Sequence, residues 1–296
     1  EFCNDVVPLL RYESHTWTTS QCFQAKVIVA NYGANDIYQP VRWELTDITG
    51  KQIATGELAS FKILQGELTE LGNISVNLEF VTVPQKLTVT LTIPGTEYRN
   101  SYSIWVYPDQ DKPLPPNSVK VFSSLSEEAK DVLSKGGKVL ILPAKEAIPT
   151  SIDGAFQTDF WCYAMFRKYN PPGTLGILCD PKHPSLNDFP TDFHADWQWW
   201  RLLKFGRPIN LGTLPGDYRP IIQVIDNVTL NRKLGILFEA KVGAGSLLVC
   251  SMDLQRQQEY PEGRQMLASL LKYMDSGAFC PEYTLRMEDL ETIIKE

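Results

Sequence analysis

The chain has 296 residues, enough for two domains of ordinary size with their own cores. Its 43% hydrophobic and 21% charged residues exclude a disordered or membrane-embedded chain, and a net charge of -7 without any Lys/Arg run among aromatics excludes nucleic acid as the expected partner. Glu1-Phe2-Cys3-Asn4-Asp5 lacks the basic start and apolar run of a secretion signal, and without an initiator Met the chain reads as a piece of something longer.

Residues 1–20 read as a segment leaving an upstream domain, and the apolar positions then alternate from Gln21 to Tyr107. Ile74, Val76, Leu78 and Phe80 interleave with Ser75, Asn77 and Glu79, while Leu87, Val89, Leu91 and Ile93 interleave with Thr88, Thr90 and Thr92. Period two gives each strand one dry and one wet face, the signature of antiparallel sheets around a shared core. Further strands are expected at Phe23 to Asn31, Val41 to Asp47, Gln52 to Phe61 and Ser101 to Tyr107, with turns at Asn31-Tyr32-Gly33, Asp47-Ile48-Thr49-Gly50 and Pro94-Gly95. So many short strands over 21–108 predict an immunoglobulin-like β-sandwich. Residues 109–117 are polar and proline-rich, an interdomain linker.

The period then changes. Val119 to Phe122 reads as a strand, Ser126 caps a helix running to Lys135, and Gly136-Gly137 ends it before the strand Lys138 to Leu142. A helix at Asp159 to Lys168 and the turn Pro171-Pro172-Gly173 lead to the strand Leu175 to Cys179; an aromatic helix is expected from about Ala195 to Lys204. Strands at Pro220 to Ile225, Lys233 to Ala240 and Ser246 to Ser251 and a helix Glu262 to Met274 follow, with residues 284–296 as a C-terminal helix or tail. The near-continuous apolar strands predict a sheet covered on both faces, an open, mostly parallel, doubly wound α/β domain over 118–283, with its last two strands forming a hairpin at Val242-Gly-Ala-Gly245.

The six cysteines, at 3, 22, 162, 179, 250 and 280, form no Cys-x-x-Cys pair, so no zinc ribbon, metal or other cofactor is implied. Cys179 and Cys250 sit in apolar runs and read as small buried hydrophobes. Cys162 lacks the flanking glycines of a nucleophile elbow, since Phe160, Trp161 and Tyr163 would block that turn. Gly243-Ala-Gly245 has no third glycine and no following helix, so it reads as a hairpin turn and not as a phosphate loop. Ligands in open α/β sheets bind beyond the carboxyl ends of strands. Asp180 and His183 follow one expected strand and Asp253 follows another; if those strands are neighbours, the three line one candidate crevice for acid/base or metal chemistry with His194 nearby, and the competing reading is that they cap turns. Trp197, Trp199 and Trp200 offer a sugar platform if exposed, or a helix-to-sheet packing surface if buried.

The run Phe2-Cys3-Asn4-Asp5-Val6-Val7-Pro8-Leu9-Leu10, Thr16-Trp17-Thr18 and Phe23 with Val27 to Tyr32 resembles the stretch that leaves the catalytic barrel of bacterial glycoside hydrolase family 2 proteins of the β-galactosidase-like kind. The second half resembles the domain appended to some of those enzymes, through Cys179-Asp180-Pro-Lys-His183-Pro184, Phe189-Pro190-Thr-Asp-Phe-His194, Asp196-Trp-Gln-Trp-Trp200, Lys233 to Lys241 and Gly243 to Ser251. That domain is similar in fold to class I glutamine amidotransferases, although this chain lacks their Gly-x-Cys-x-Gly elbow and His-x-Glu pair. The resemblance implies a periplasmic or secreted parent enzyme acting on a glycan. A retaining glycosidase needs two carboxyls roughly 5 Å apart, in that family on a barrel of about 250 residues, so the catalytic pair is expected upstream of Glu1. Three readings follow: a non-catalytic accessory region that supports the barrel and shapes the glycan site or a homo-oligomer contact; a carbohydrate-binding module using the tryptophans with Asp180 and His183; and an autonomous hydrolase using Asp180, His183 and Asp253.

Overall fold

The computed structural model describes residues 3–59, 62–155 and 173–296, and the chain divides into two compact units, Glu1–Gln110 and Asp111–Glu296. The expected helix Asp159 to Lys168, with Cys162, lies outside the described residues.

The first unit contains β1 (Val6–Arg11), β2 (Thr16–Thr18), β3 (Cys22–Asn31), β4 (Val41–Thr46), β5 (Gln52–Leu58), β6 (Glu67–Asn77), β7 (Gln85–Thr92) and β8 (Arg99–Tyr107). They form a three-stranded sheet, β1-β3-β6, and a five-stranded sheet, β2-β8-β7-β4-β5. Alternation places Phe23, Ala25, Val27 and Val29 of one sheet and Leu87, Val89 and Leu91 of the other in one shared core. The sandwich starts before residue 21: β1 pairs with β3 along its whole length and β2 runs parallel to β8. In β6 the inward residues Leu71 and Ile74 are three apart, because a bulge interrupts the ladder beside Val27 and Ile28. Gly72, at φ 141°, accommodates that irregularity where a side chain would be strained. The strand ends at Asn77, and Phe80, the last residue of the alternating run, is exposed in a turn.

The second unit contains β9 (Val119–Phe122), α1 (Glu127–Ser134), β10 (Lys138–Ile141), β11 (Gly176–Cys179), α2 (Trp199–Lys204), β12 (Ile209–Asn210), β13 (Ile222–Ile225), β14 (Leu234–Val242), β15 (Gly245–Cys250), α3 (Pro261–Asp275) and α4 (Met287–Glu291). Ser126 accepts the Ala129 N–H at the start of α1, and at its end Gly136, at φ 84°, and Gly137 donate to Leu133 and Val132, the paired bonds of a glycine-terminated helix. The sheet order is β11-β13-β14-β15-β10-β9, with β12 on β14. Only β9/β10 and β10/β15 are parallel; the ladders β11/β13, β13/β14, β14/β15 and β12/β14 are antiparallel. The expectation of a mostly parallel sheet is therefore corrected to a mixed one. Apolar strands report two-sided burial, which antiparallel strands also have when helices cover both faces. Here Ala129 and Leu133 of α1 and Leu290 of α4 share a core with Val139, Ile141, Phe238 and Ala240. On the opposite face the Tyr273 hydroxyl of α3 donates to Glu239, whose side chain alternates away from Phe238. The β14–β15 hairpin turns at Gly243-Ala244, with Gly243 at φ 59° and Val242 paired to Gly245.

One expectation shifts at the end of an element. The helix expected from Ala195 is confined to Trp199–Lys204: Asp196 holds a turn by accepting from the Gln198 N–H on its carboxylate and from the Trp199 N–H on its carbonyl. Residues 284–296, expected as a helix or tail, contain α4, and Leu285, Leu290, Ile293 and Ile294 are buried in the core with α1.

Candidate functional site

Asp180 and His183 shape the turn after β11. The Asp180 carboxylate accepts from the Lys182 N–H at 2.9 Å and its carbonyl from the His183 N–H at 3.0 Å. His183 Nδ1 accepts from the N–H of Ser185 at 3.3 Å and contacts its hydroxyl at 2.8 Å, capping a short 3₁₀ turn. Its ring lies edge-on against Tyr273, and burial lowers its pKa. The segment 191–195 then lies along the free edge of β11, with Leu178 bridged to His194 and the Cys179 N–H donating to Phe193. His194 is exposed, contacts the Ala195 carbonyl through Nδ1 at 3.0 Å, and stacks edge-on with Phe193.

The three tryptophans part company. Trp199 is fully buried, donates from Nε1 to Thr191 Oγ1 at 2.8 Å and meets Phe189 edge-on. Trp197, on the Asp196 turn and off the helix, is 61% exposed, and Trp200 is 40% exposed.

Asp253 lies elsewhere. Two strands separate β11 from β15, and the three antiparallel ladders between them make β15 run opposite to β11, so their carboxyl ends lie at opposite ends of the sheet. The placement along α3 agrees: His183 rests on Tyr273 in its last turns, whereas Asp253 precedes its first. The structure therefore does not join Asp180, His183 and Asp253 in one crevice. Sequence pattern marks strand ends correctly but cannot state which way distant strands run relative to one another.

Asp253 instead lines a cleft of ≈ 510 Å³ outside the carboxyl ends of the parallel strands β10 and β15, the place where open sheets of this kind take ligands. Three stretches far apart in sequence build it: the exit of β10 with Lys145 and Glu146, the exit of β15 with Asp253 and Arg256, and the Lys204–Arg207 corner beside Asp153 and Gly154. Backbone bonds fasten the corner, from Arg207 N to Ser251 O at 2.8 Å, Gly154 N to Gly206 O at 3.1 Å and Ile152 N to Pro208 O at 2.9 Å. The approach is close enough to require glycine twice. A Cβ on Gly154 would fall 1.8 Å from the Leu203 carbonyl oxygen, and one on Gly206 would fall 2.5 Å from that of Leu202. Arg207 is pinned by Nε to Ser151 Oγ at 2.9 Å and by an ion pair with Asp153.

Asp253 has φ 53°, a left-handed backbone that only Asn and Asp among side-chain-bearing residues visit with any ease. Its carbonyl accepts from the Arg256 and Gln257 N–H groups. Burial pushes its carboxyl pKa up, more than Arg256, 3.8 Å away, pulls it down. Strain of this sort concentrates at ligand sites. Phe205, 54% exposed, is a further cleft-lining residue. Sequence reading missed Lys145, Lys204, Phe205 and Arg207. The one available signal was position, since Pro143-Ala-Lys145 directly follows an expected strand, as Asp253 does.

Among the described residues no three His, Cys, Asp or Glu side chains gather to hold a metal ion. Burial pushes the Cys179 thiol up to about 11 and the Cys250 thiol up to about 12, which keeps both protonated at neutral pH and unsuited to nucleophilic attack. Cys250 is buried as expected, and Cys179 is only partly so. No helix among the described residues is long and apolar enough to cross a membrane.

No curated protein matches the chain. Solved structures that match include an alkylpurine DNA glycosylase of Pseudomonas fluorescens (12% identity, TM-score 0.29, covering 35% of this chain and 30% of that one). Glycoside hydrolases are among them: a putative β-galactosidase of Bacteroides fragilis (11%, TM-score 0.24, 48% and 26%) and a β-glucuronidase of Parabacteroides merdae (14%, TM-score 0.26, 46% and 21%). The chain thus spans less than a third of the length of each of these three. Residues 21–108 match the model of a domain of unknown function, DUF8488. Residues 120–295, more than half of the chain, match that of another domain of unknown function, DUF8487, and the chain belongs to this DUF8487 family.

Proposed function

We propose that this chain is the non-catalytic accessory region of a periplasmic or secreted glycoside hydrolase, of the family 2-like kind that its sequence resembles, in which the β-sandwich supports a catalytic barrel and the amidotransferase-like second unit contributes to glycan handling. The observation that carries the reading is the use made of the polar atoms between Asp180 and Trp200. Asp180, His183 and Asp196 hold turns, and Trp199 is locked in the core. In this segment, one of those that carry the resemblance, these polar groups serve turns, which supports an accessory role. The test is an assay of the 296-residue protein on aryl β-galactosides and β-glucuronides. No turnover is expected, and measurable turnover abolished by a single carboxylate substitution in this chain refutes the reading.

The exposure of Trp197 and Trp200 supports a second reading, a carbohydrate-binding surface in which an indole face stacks on a sugar ring. It predicts that Trp197→Ala weakens retention on an immobilised glycan while leaving the melting temperature within about a degree, since exposed substitutions cost at most about 0.5 kcal/mol. Unchanged retention on every glycan that binds the parent chain removes this reading.

A further inference from the structure

We propose that the cleft at the carboxyl ends of β10 and β15 is a binding site for an acidic saccharide, a sugar ring bearing a carboxylate, with Lys145 and Lys204 taking the anionic group, Phe205 offering a face to the ring and Asp253 accepting from its hydroxyls. The identification of the ligand as a sugar rests on the carbohydrate reading above; its acidity rests on the cleft alone.

The charges on the cleft wall are unlike those of the molecule. The whole chain carries a net charge of -7, yet here four cationic side chains, Lys145, Lys204, Arg207 and Arg256, face three carboxylates, Glu146, Asp153 and Asp253. Arg207 is taken up by Asp153 and Ser151, and Arg256 stands beside Asp253. Lys145 and Lys204 make no ion pair among the described residues, and both are exposed. With Glu146 the remaining carboxylate, the wall keeps one net positive charge and two ammonium groups outside any ion pair among the described residues; such a concave wall attracts an anion, and charge-assisted bonds to a carboxylate are about twice as strong as neutral ones.

The other lining groups select for more than charge. Phe205 is a large aromatic left 54% exposed at a position where its two neighbours, Lys204 and Gly206, are respectively a cation outside any ion pair among the described residues and a backbone contact that nothing larger than glycine permits. An apolar ring presented to solvent beside a cation suits a ligand with an apolar face and an anionic edge, which describes the pyranose ring of a uronic acid. Asp253 supplies an acceptor-only group with two oxygens, suited to adjacent hydroxyls. Its left-handed backbone is the local cost of aiming that carboxylate from the first turn after β15. The cleft's ≈ 510 Å³ falls within the range of small-molecule sites, about 300–1,000 Å³, and leaves room for one or two sugar rings.

The test is titration calorimetry of the full chain with three probes: digalacturonic acid, the neutral disaccharide galactobiose and citrate. Binding of the acidic disaccharide at least tenfold tighter than of the neutral one and of citrate is expected, with loss of at least tenfold in Lys204→Glu and in Asp253→Asn. The Lys204 variant changes an exposed side chain, and Asn tolerates the backbone at position 253, so both are expected to fold; far-ultraviolet dichroism and melting curves check this. Retention of binding in Trp197→Ala assigns it to this cleft. Equal affinity for galactobiose overturns the acidic selectivity and leaves the carbohydrate reading standing. Equal affinity for citrate reduces the site to a general anion trap and overturns the sugar assignment. Binding of none of the three overturns the proposal, whereas turnover in the glycosidase assay defeats the accessory reading without touching this one.

Discussion

Asp253 concentrates two costs in one residue, a left-handed backbone and a carboxylate that burial disfavours. The second has a definite pH signature. Its folded pKa is raised above the ordinary value of about 3.9, so at neutral pH the native state carries a charge that the unfolded state solvates better. Stability associated with this group is therefore gained as pH falls through the raised folded pKa. Asp253→Asn keeps the backbone tolerance and removes the charge; its melting temperature should exceed that of the parent protein at pH 7, and the difference should shrink as pH falls through the raised folded pKa and vanish only well below the unfolded value of about 3.9, where the carboxyl is neutral in both states. Thermal melts across pH 3–8 read this directly, and a variant equal to or less stable than the parent at pH 7 contradicts it. None of this was legible at the level of residue types. The sequence marked Asp253 as a polar residue after a strand, but only the fold brings it to the same cleft as Phe205 and Lys204, because that cleft joins segments about fifty residues apart and more.

The elements were more legible than the site they frame. Alternation in β3 and β7, the Ser126 cap and the Gly136-Gly137 stop of α1 are local signals, complete within a few residues, and the structure uses each as local chemistry dictates. The extent of α2 was not legible, because helical spacing of Trp197 and Trp200 competes with an Asp196 turn whose bonds depend on where the preceding segment is pinned against β11. The direction of β11 was likewise hidden, since its pairing with β13 joins segments more than forty residues apart. The contact between the Asp153-Gly154 stretch and the end of α2 is the element-scale joint that sets the cleft. At Gly154 an added methyl would meet two backbone oxygens, of Leu203 and Gly206, at 1.8 and 2.7 Å, and neither can move aside as a flexible side chain would. Gly154→Ala should therefore destabilise by about 1–3 kcal/mol, the ordinary range for overpacking, and should widen or misalign the Lys204–Arg207 corner. Equilibrium denaturation in urea measures the first, and weakened digalacturonate binding the second; a neutral change in both would mean that the joint yields freely.

At the scale of the whole molecule, each unit closes a core of its own. Among the described residues, the buried side chains of the sandwich core run from Val6 to Val106, and those of the second core, around α1, from Leu125 to Ile294 with Phe122 packed against them. Residues 1–110 and 111–296 expressed separately should each therefore unfold cooperatively. At the chain's far end, where a helix or a tail is expected, the structure has the helix α4, and the magnitudes say how much the segment matters. Leu285, Leu290, Ile293 and Ile294 are each at most 2% exposed and sit against α1 and the sheet. The Lys295 N–H also donates to Ala147, and the Leu125 N–H donates to Lys295, so the terminal segment satisfies backbone groups on both sides of the core. Fully burying one such aliphatic side chain contributes about 1.5–3 kcal/mol, so removing four forfeits about 6–12 kcal/mol, comparable to the whole stability of an ordinary domain, about 5–15 kcal/mol. Truncation after Tyr283 should accordingly leave the second unit unfolded or collapsed without fixed packing, with a lost cooperative melt and dye binding to exposed apolar surface, while the isolated 1–110 fragment is unaffected. A truncated protein that keeps a cooperative transition within a few degrees of the parent would show that these four side chains cover a surface the core does not need.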